Sequence, residues 1–239
     1  PGVITLDLQT HVAKLGFIYA PDPASQKVST LGGNFGENSG GPHCLKYGVT
    51  TNHILGAEVV LDDGTVIWTG GKAQNNPGYD LTGLLVGSEG TLVIATKLIL
   101  KLIRAPEAVK TMLAIYNTIE DGANTVSAII AEGIIPATLE MMDNKVIQAV
   151  EASVHAGYPL DAAAVLIIEL DGMPDGMDKK AEKISEICNR HHVREIRLAK
   201  TESERAGLWA GRKGAFGAVA RLRPSYMCCD GTVPRTRLP

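Results

Sequence analysis

Apolar positions repeat along this chain with two different periods. A spacing of three to four residues, the signature of one helical face, runs through 119–132 with Ala123, Val126 and Ile130 on one side. It recurs through 177–191 with Met177, Ala181, Ile184 and Cys188, and helices are also predicted over 143–154 and 202–220. Between them lie short apolar or β-branched runs predicted as strands: 110–117, 138–142, 165–170, 193–198 and 226–233. In the run 165–170 the alternation is weaker than the continuous apolar character. Upstream, 2–6 and 17–19 are predicted strands on either side of a short helix over 9–15, and Pro21-Asp22-Pro23 ends the second strand. Residues 54–61 and 66–69 flank Asp62-Asp63-Gly64-Thr65, a strong hairpin signal. Asn75-Asn76-Pro77-Gly78 marks a turn, Asp80 is placed to cap a short helix ending at Leu85, and 92–103 carries one or two buried strands.

The order of these elements changes character after Ala105-Pro106. Strand–helix–strand followed by strand–helix–strand predicts a ferredoxin-like split βαβ layer, with its helices on one sheet face. The expected class is therefore α+β, with one domain over 1–105 and a second over 106–239.

Composition narrows the function classes. The chain has 239 residues, is 45% hydrophobic and 21% charged, and has a formal net charge of −3, so it supports a sizeable core. No basic run suits nucleic-acid phosphates. No apolar run reaches the roughly 18 residues of a membrane span. The four cysteines, Cys44, Cys188, Cys228 and Cys229, have neither CxxC nor zinc-finger spacing, and no N-glycosylation sequon is present. A reducing, cytoplasmic compartment fits this pattern. The chain opens at Pro1 with a predicted strand already under way and closes without a stop signal, so a fragment of a longer protein is expected.

The densest chemical signal is Leu31-Gly32-Gly33-Asn34-Phe35-Gly36-Glu37-Asn38-Ser39-Gly40-Gly41-Pro42, with five glycines and two asparagines in twelve positions. Glycine lets the main chain approach a ligand without a Cβ in the way, and successive amides in such a bend favour anions or the polar edge of a flat heterocycle. Gly87-Ser88-Glu89-Gly90-Thr91 offers a second bend of the same kind. A glycine-rich bend taken alone is more often a mere surface turn. No G-x-G-x-x-G lies between a strand and a helix, which argues against a nicotinamide enzyme.

Five segments in order resemble one family: 21–25, 33–41, Lys46-Tyr47-Gly48, 55–64 and 87–92. It is the flavin-linked 2-hydroxy acid dehydrogenases of the vanillyl-alcohol-oxidase type, which include the glycolate oxidase flavin subunit and FAD-linked D-lactate dehydrogenase. Leu208-Trp209-Ala210-Gly211-Arg212 and Asp230-Gly231-Thr232-Val233-Pro234 match its later, substrate-side part. The resemblance covers essentially the whole chain. It implies that 1–105 is the C-terminal part, or second lobe, of an FAD-binding domain, and that 106–239 is an incomplete cap domain. It implies oxidation of a 2-hydroxy acid to the 2-oxo acid, with FAD taking the hydride at N5 and electrons leaving to a partner of iron–sulfur or electron-transfer-flavoprotein type. Any membrane association would come through such a partner.

By the same resemblance, cofactor contacts fall on Pro21, Gly32, Gly33, Asn34, Asn38, Ser39, Gly40, Gly41, Tyr47, Gly48, Gly87, Ser88, Glu89, Gly90, Thr91 and Ile94. Asn38 and Ser39 are also ordinary turn formers, and Glu89 suits an anchor for its loop better than chemistry. Val93 stands where family members commonly carry glycine, so its side chain crowds the cofactor or simply packs. Arg212 matches the carboxylate-binding arginine, and a guanidinium grips both oxygens at once. A lysine found near Cys228 in a dicarboxylate-handling branch is missing here, which leans towards glycolate or D-lactate. The family's glycine-rich pyrophosphate lobe lies before this chain. Its histidine-rich motif, which holds a metal and supplies the base, lies after it. No metal site and no catalytic base are therefore expected within the chain, and a non-catalytic chain of the same fold is the rival reading. His43, His53 and His155 lack partners at metal-ligand spacing, and His191-His192 read as surface. Cys228-Cys229 read as core residues of a strand, and the charges from Arg194 to Arg205 as solvated.

Overall fold

A computed structural model describes residues 1–73, 78–223, 225–234 and 237–238. Most of the turn predicted at Asn75-Asn76-Pro77-Gly78 lies outside them. The chain divides into two compact units, Pro1–Ala105 and Pro106–Pro239.

In the first unit, helix α1 covers Thr5–Ala13 and strand β1 covers Phe17–Ile18. The strand predicted over 2–6 does not form: Ile4 makes one bridge to Thr30, and the helix starts at the next residue. The reason is Thr5, which is buried with its hydroxyl on Ser29 O at 3.1 Å and accepting from Asn34 Nδ2 at 2.7 Å. Helices α2 (Leu31–Glu37) and α3 (Cys44–Tyr47) precede a 3-10 turn at Thr50–His53. Strands β2 (Ile54–Val60) and β3 (Val66–Gly70) form the expected hairpin. Asp80 caps α4 (Leu81–Leu85), accepting from Gly83 N at 2.9 Å. Strand β4 (Ile94–Leu100) completes an antiparallel sheet of order β3-β2-β4, and β5 (Ile103–Arg104) pairs with β1.

The glycine-rich segment is helical over its first half, which its composition disguises. Each glycine costs about 1 kcal/mol in a helix interior. Packing offsets this cost. Phe35 lies in the core with Ile54, Ala57, Val59, Leu85, Val86 and Val93, and Leu31 one turn earlier is also buried. Thr30 caps the start by accepting from Gly33 N at 3.1 Å. Asn38 caps the end in the left-handed conformation, φ 51°.

In the second unit, the elements are β6 (Ala108–Tyr116), α5 (Ile119–Ala131), β7 (Thr138–Asp143), α6 (Asn144–Glu151), β8 (Ala164–Gly172), α7 (Met177–Arg190), β9 (Glu195–Leu198) and α8 (Glu202–Ala220). The sheet order is β7-β8-β6-β9, all antiparallel. That is the ferredoxin-like order, with α6 inserted between the second and third strands.

Helices cover both faces of this sheet, not one. Leu113, Ile115, Val165 and Ile167 cluster with Ile147 and Val150 of α6 and Trp209, Ala215 and Ala218 of α8. Met112, Ala114, Tyr116, Leu166 and Ile168 cluster with Ile129 of α5 and Ile184, Ile187 and Cys188 of α7. A strand buried on both faces must be apolar at every position, which is why 165–170 alternates poorly. On α5 Ala123 and Ile129 are fully buried, while Val126 and Ile130 are half-buried.

No strand forms over 226–233, and Cys228 and Cys229 are exposed thiols. This segment has no partner strand among the described residues: the sheet edges are β7 and β9.

Candidate functional site

The two glycine-rich bends of the first unit are bonded to each other. Gly87 N donates to Phe35 O and Glu89 N to Gly36 O, both at 2.9 Å. Glu89 takes the left-handed conformation, φ 53°, which turns the chain back at this point. Beside the junction lies a cavity of about 380 Å³ lined by Gly32, Gly33, Gly36, Ser88, Gly90 and Ile94, with Thr30, Phe35 and Val93. Of the residues expected to touch a cofactor, five meet here: Gly32, Gly33, Ser88, Gly90 and Ile94. Val93 is buried and packs into the core as well as bordering the cavity.

The surface offered is different in kind from an anion nest. Leu31 N donates to Val3 O at 2.9 Å, Gly32 N to Pro1 O at 2.8 Å, Gly33 N to Thr30 Oγ1 at 3.1 Å and Asn34 N to Thr30 O at 2.9 Å. All four amides of the first turn are satisfied within the chain. What remains is a stretch of floor at Gly36 and Gly90 where no side chain intrudes. A Cβ on Gly90 would meet nothing within 4 Å, and one on Gly36 only Glu89 Cα at 4.0 Å. Such a floor fits a flat ring lying in van der Waals contact, and it does not fit a phosphate.

The other expected cofactor residues support this framework. Asn34 is buried and holds Thr5. Asn38 Oδ1 accepts from Thr51 N at 2.9 Å, and Ser39 O accepts from Thr50 N at 3.0 Å and Thr50 Oγ1 at 2.7 Å. Pro21 is buried, its carbonyl bound by Gln9 Nε2 at 3.0 Å. A Cβ on Gly41 would collide with both the backbone and carboxylate of Asp22, so only glycine lets these strands of chain meet. Asp22 Oδ2 lies 2.7 Å from His43 Nδ1. Gly40 sits against Val49, and Gly48 against Asn52. Tyr47 O lies 2.9 Å from His53 Nε2, with Lys46 Nζ 5.0 Å from the Tyr47 ring centre. Thr91 closes the second bend through Ser88 O. His53 is 3% exposed and edge-on to Tyr19, whose phenol burial pushes up to about 12.

The second unit has a larger cavity, about 570 Å³, between β7 and α8. Arg212 stands on its wall with its Nε 2.5 Å from Glu140 Oε2, the two side chains about one-fifth exposed. Met142, Val146, Phe216, Val219 and Met227 supply apolar walls, with Cys228 and Cys229 at the rim. Arg205, Trp209 and Arg212 share one face of α8 by their spacing of four and three. The first two close on a buried carboxylate that the sequence reading missed. Glu169, 1% exposed, accepts from Arg205 Nε at 3.0 Å and Nη2 at 2.9 Å, from Trp209 Nε1 at 2.8 Å and from Thr111 Oγ1 at 2.5 Å. Hydrogen bonding to Glu169 pushes the Arg205 guanidinium further up. Arg205 is thus the half-buried partner of a buried carboxylate and not solvated charge. Arg194 and Arg197 are also paired, with Asp161 and Glu195. The available signal was a glutamate inside an otherwise apolar strand, Val165-Leu166-Ile167-Ile168-Glu169-Leu170. Tyr158 packs across Gly211 and donates to Leu208 O, and a Cβ at Gly211 would strike its ring.

A family model for FAD-linked oxidases, C-terminal domain, matches residues 105–239, and one for an FAD-binding domain matches residues 1–70. The chain belongs to the FAD-linked oxidases. FAD is the cofactor of this family. The chain is 46% identical over 239 residues to glycolate oxidase subunit GlcD of Escherichia coli (strain K12), covering 100% of this chain and 48% of that protein. It is 31% identical over 245 residues to D-lactate dehydrogenase of Anaerostipes hadrus, covering 99% and 51%. The chain spans about half the length of the curated relatives it matches. The solved structure of alkyldihydroxyacetonephosphate synthase superposes with a TM-score of 0.73 at 20% identity, over 92% of this chain and 44% of that one. The architecture is the vanillyl-alcohol-oxidase-type FAD-binding fold. Among the described residues no three His, Cys, Asp or Glu side chains gather as metal ligands, and no helix is long and apolar enough to cross a membrane.

Proposed function

We propose that this chain belongs to a flavin-dependent enzyme that oxidises a small 2-hydroxy acid of the glycolate or D-lactate type to the 2-oxo acid. The first unit is its FAD-binding part and the second its substrate-covering part. The observation that carries this reading is the double hydrogen bond between Phe35-Gly36 and Gly87-Glu89, which joins two distant glycine motifs at the edge of one cavity. Gly36 and Gly90 hold the flavin by flat contact, with Gly32 and Gly33 bordering it beside Pro1 and Thr30, and Ser88 supplies polar edge contact. Bound FAD supplies the hydride acceptor, at N5.

Arg212 holds the substrate carboxylate. Glu140 occupies its Nε only, and Nη1 and Nη2 have no partner among the described residues, leaving a two-pronged donor edge. The base that takes the hydroxyl proton comes from beyond this chain. A partner subunit of iron–sulfur or electron-transfer-flavoprotein type would accept the electrons, in a reducing cytoplasmic compartment that fits the four free cysteines.

A second reading, a non-catalytic chain of the same fold, draws support from the satisfied amides of α2. Colour separates the two. Purified protein supplied with FAD is expected to turn yellow and to bleach when glycolate or D-lactate is added without oxygen. Protein that stays colourless after FAD is added favours the second reading.

A further inference from the structure

We propose that the neighbouring thiols Cys228 and Cys229, with the thioether of Met227, form a site for a soft monovalent cation, Cu(I), at the rim of the second unit's cavity. The site goes beyond the 2-hydroxy acid reading and does not rest on it. Sulfur is concentrated here. Three of the six methionines, Met141, Met142 and Met227, and two of the four cysteines border this one cavity. Met142 is buried in its wall, while Met227, Cys228 and Cys229 are exposed.

The backbone decides what the cysteine pair can do. A strand would turn neighbouring side chains to opposite faces. No strand forms over 226–233, and both cysteines border the same space. Adjacent Cα atoms lie about 3.8 Å apart, short of the roughly 4.4–6.8 Å of ordinary disulfides. Both thiols are free, and this spacing suits them to share an ion rather than to bond to each other.

Ligand type chooses the ion. Thiolate and thioether sulfur are soft donors that select Cu(I). Structural zinc takes four ligands drawn from Cys, His and carboxylate side chains, and among the described residues no three such side chains gather. Binding breaks the S–H bonds of both cysteines, forms a Cu–S bond to each and releases both protons to solvent, with no change of oxidation state. An ion held there narrows the mouth of the cavity.

Anaerobic titration of the purified flavoprotein that carries this chain with Cu(I), in competition with the chromogenic chelator bicinchoninate, tests this. The parent is expected to hold one more Cu(I) per chain than Cys228→Ser or Cys229→Ser, a difference that separates this ion from any held elsewhere in the protein. Each serine variant should weaken the ion by at least about 100-fold, the upper end of what a lost outer-shell partner costs, and Met227→Leu by about tenfold. Cys44→Ser is the control, an exposed free thiol with no cysteine beside it, and should bind as the parent does. All four side chains are exposed, so melting temperatures should match the parent. A parent that yields all its copper to the chelator, or a serine variant at 228 or 229 that binds as the parent does, overturns the site. Unchanged affinity in Met227→Leu overturns the thioether ligand. The readout is binding alone, so the 2-hydroxy acid reading stands or falls separately.

Discussion

Arg205 straddles Glu169 with two hydrogen bonds of 2.9 and 3.0 Å, and by doing so fastens α8 to the middle of a sheet. The carboxylate is 1% exposed and also takes Trp209 and Thr111. Removing one partner strands a buried charge, which costs roughly 3–5 kcal/mol. Arg205→Ala and Glu169→Ala are each expected to lose stability of that order in urea melts. The double variant should lose clearly less than the sum, because the partners no longer strand one another. Additive losses would show that the contacts are not coupled.

Arg212→Ala is expected to weaken 2-hydroxy acid binding about 10- to 100-fold, the range for a charge-assisted hydrogen bond lost from a partly buried site. FAD affinity should stay unchanged, since the arginine belongs to the second unit and the bare floor to the first. Steady-state kinetics beside a flavin titration reads both, and equal turnover by variant and parent removes the assignment.

Gly41→Ala is expected to destabilise the first unit by about 1–3 kcal/mol, since its methyl group would press into Asp22 and force the chain aside. Gly90→Ala tests the cavity instead. Its Cβ meets nothing, so crowding there should act on flavin affinity; its φ of 72° adds a backbone cost of about 1 kcal/mol that a thermal melt measures separately. Flavin titration of Gly90→Ala that matches the parent would empty the floor of its proposed guest.

Burial raises the phenols of Tyr19, Tyr116 and Tyr158 above the ordinary value, Tyr19 to about 12. The sign follows from linkage. The unfolded chain ionises its tyrosines near pH 10 while the folded chain keeps these three neutral, so stability is complete below pH 10 and falls as pH rises towards 12. Tyrosinate absorbance should show these three of the six tyrosines titrating late, together with loss of the fold. Early titration of all six in folded protein would contradict their burial.

Where local chemistry and tertiary packing agree, the elements were readable from sequence. The helix over 202–220 begins at Thr201, whose hydroxyl accepts from Glu204 N at 3.1 Å, and the hairpin at Asp62-Asp63-Gly64-Thr65 has a self-sufficient turn in which Thr65 N meets Asp63 Oδ1 at 2.8 Å. Helix α2 was hidden because its stability comes from Phe35, Leu31 and Asn34 reaching distant partners, while its own residues disfavour a helix. The false strand over 226–233 has the right residue types but no neighbour to pair with among the described residues. At the candidate site, glycine motifs and Arg212 were visible as types in order. Glu140 and Glu169 were not, since each is defined by a partner 72 or 36 residues away.

The strand order of the second unit bears on how it is made. Strand β6 is first to leave the ribosome, yet it sits inside the sheet, with Tyr116 opposite Ala164 and Ala108 opposite Gly172. Its apolar residues must therefore wait, uncovered on both sides, until two helices and two further strands have been synthesised. A pause in synthesis before β8 would leave β6 without the strand that covers its edge.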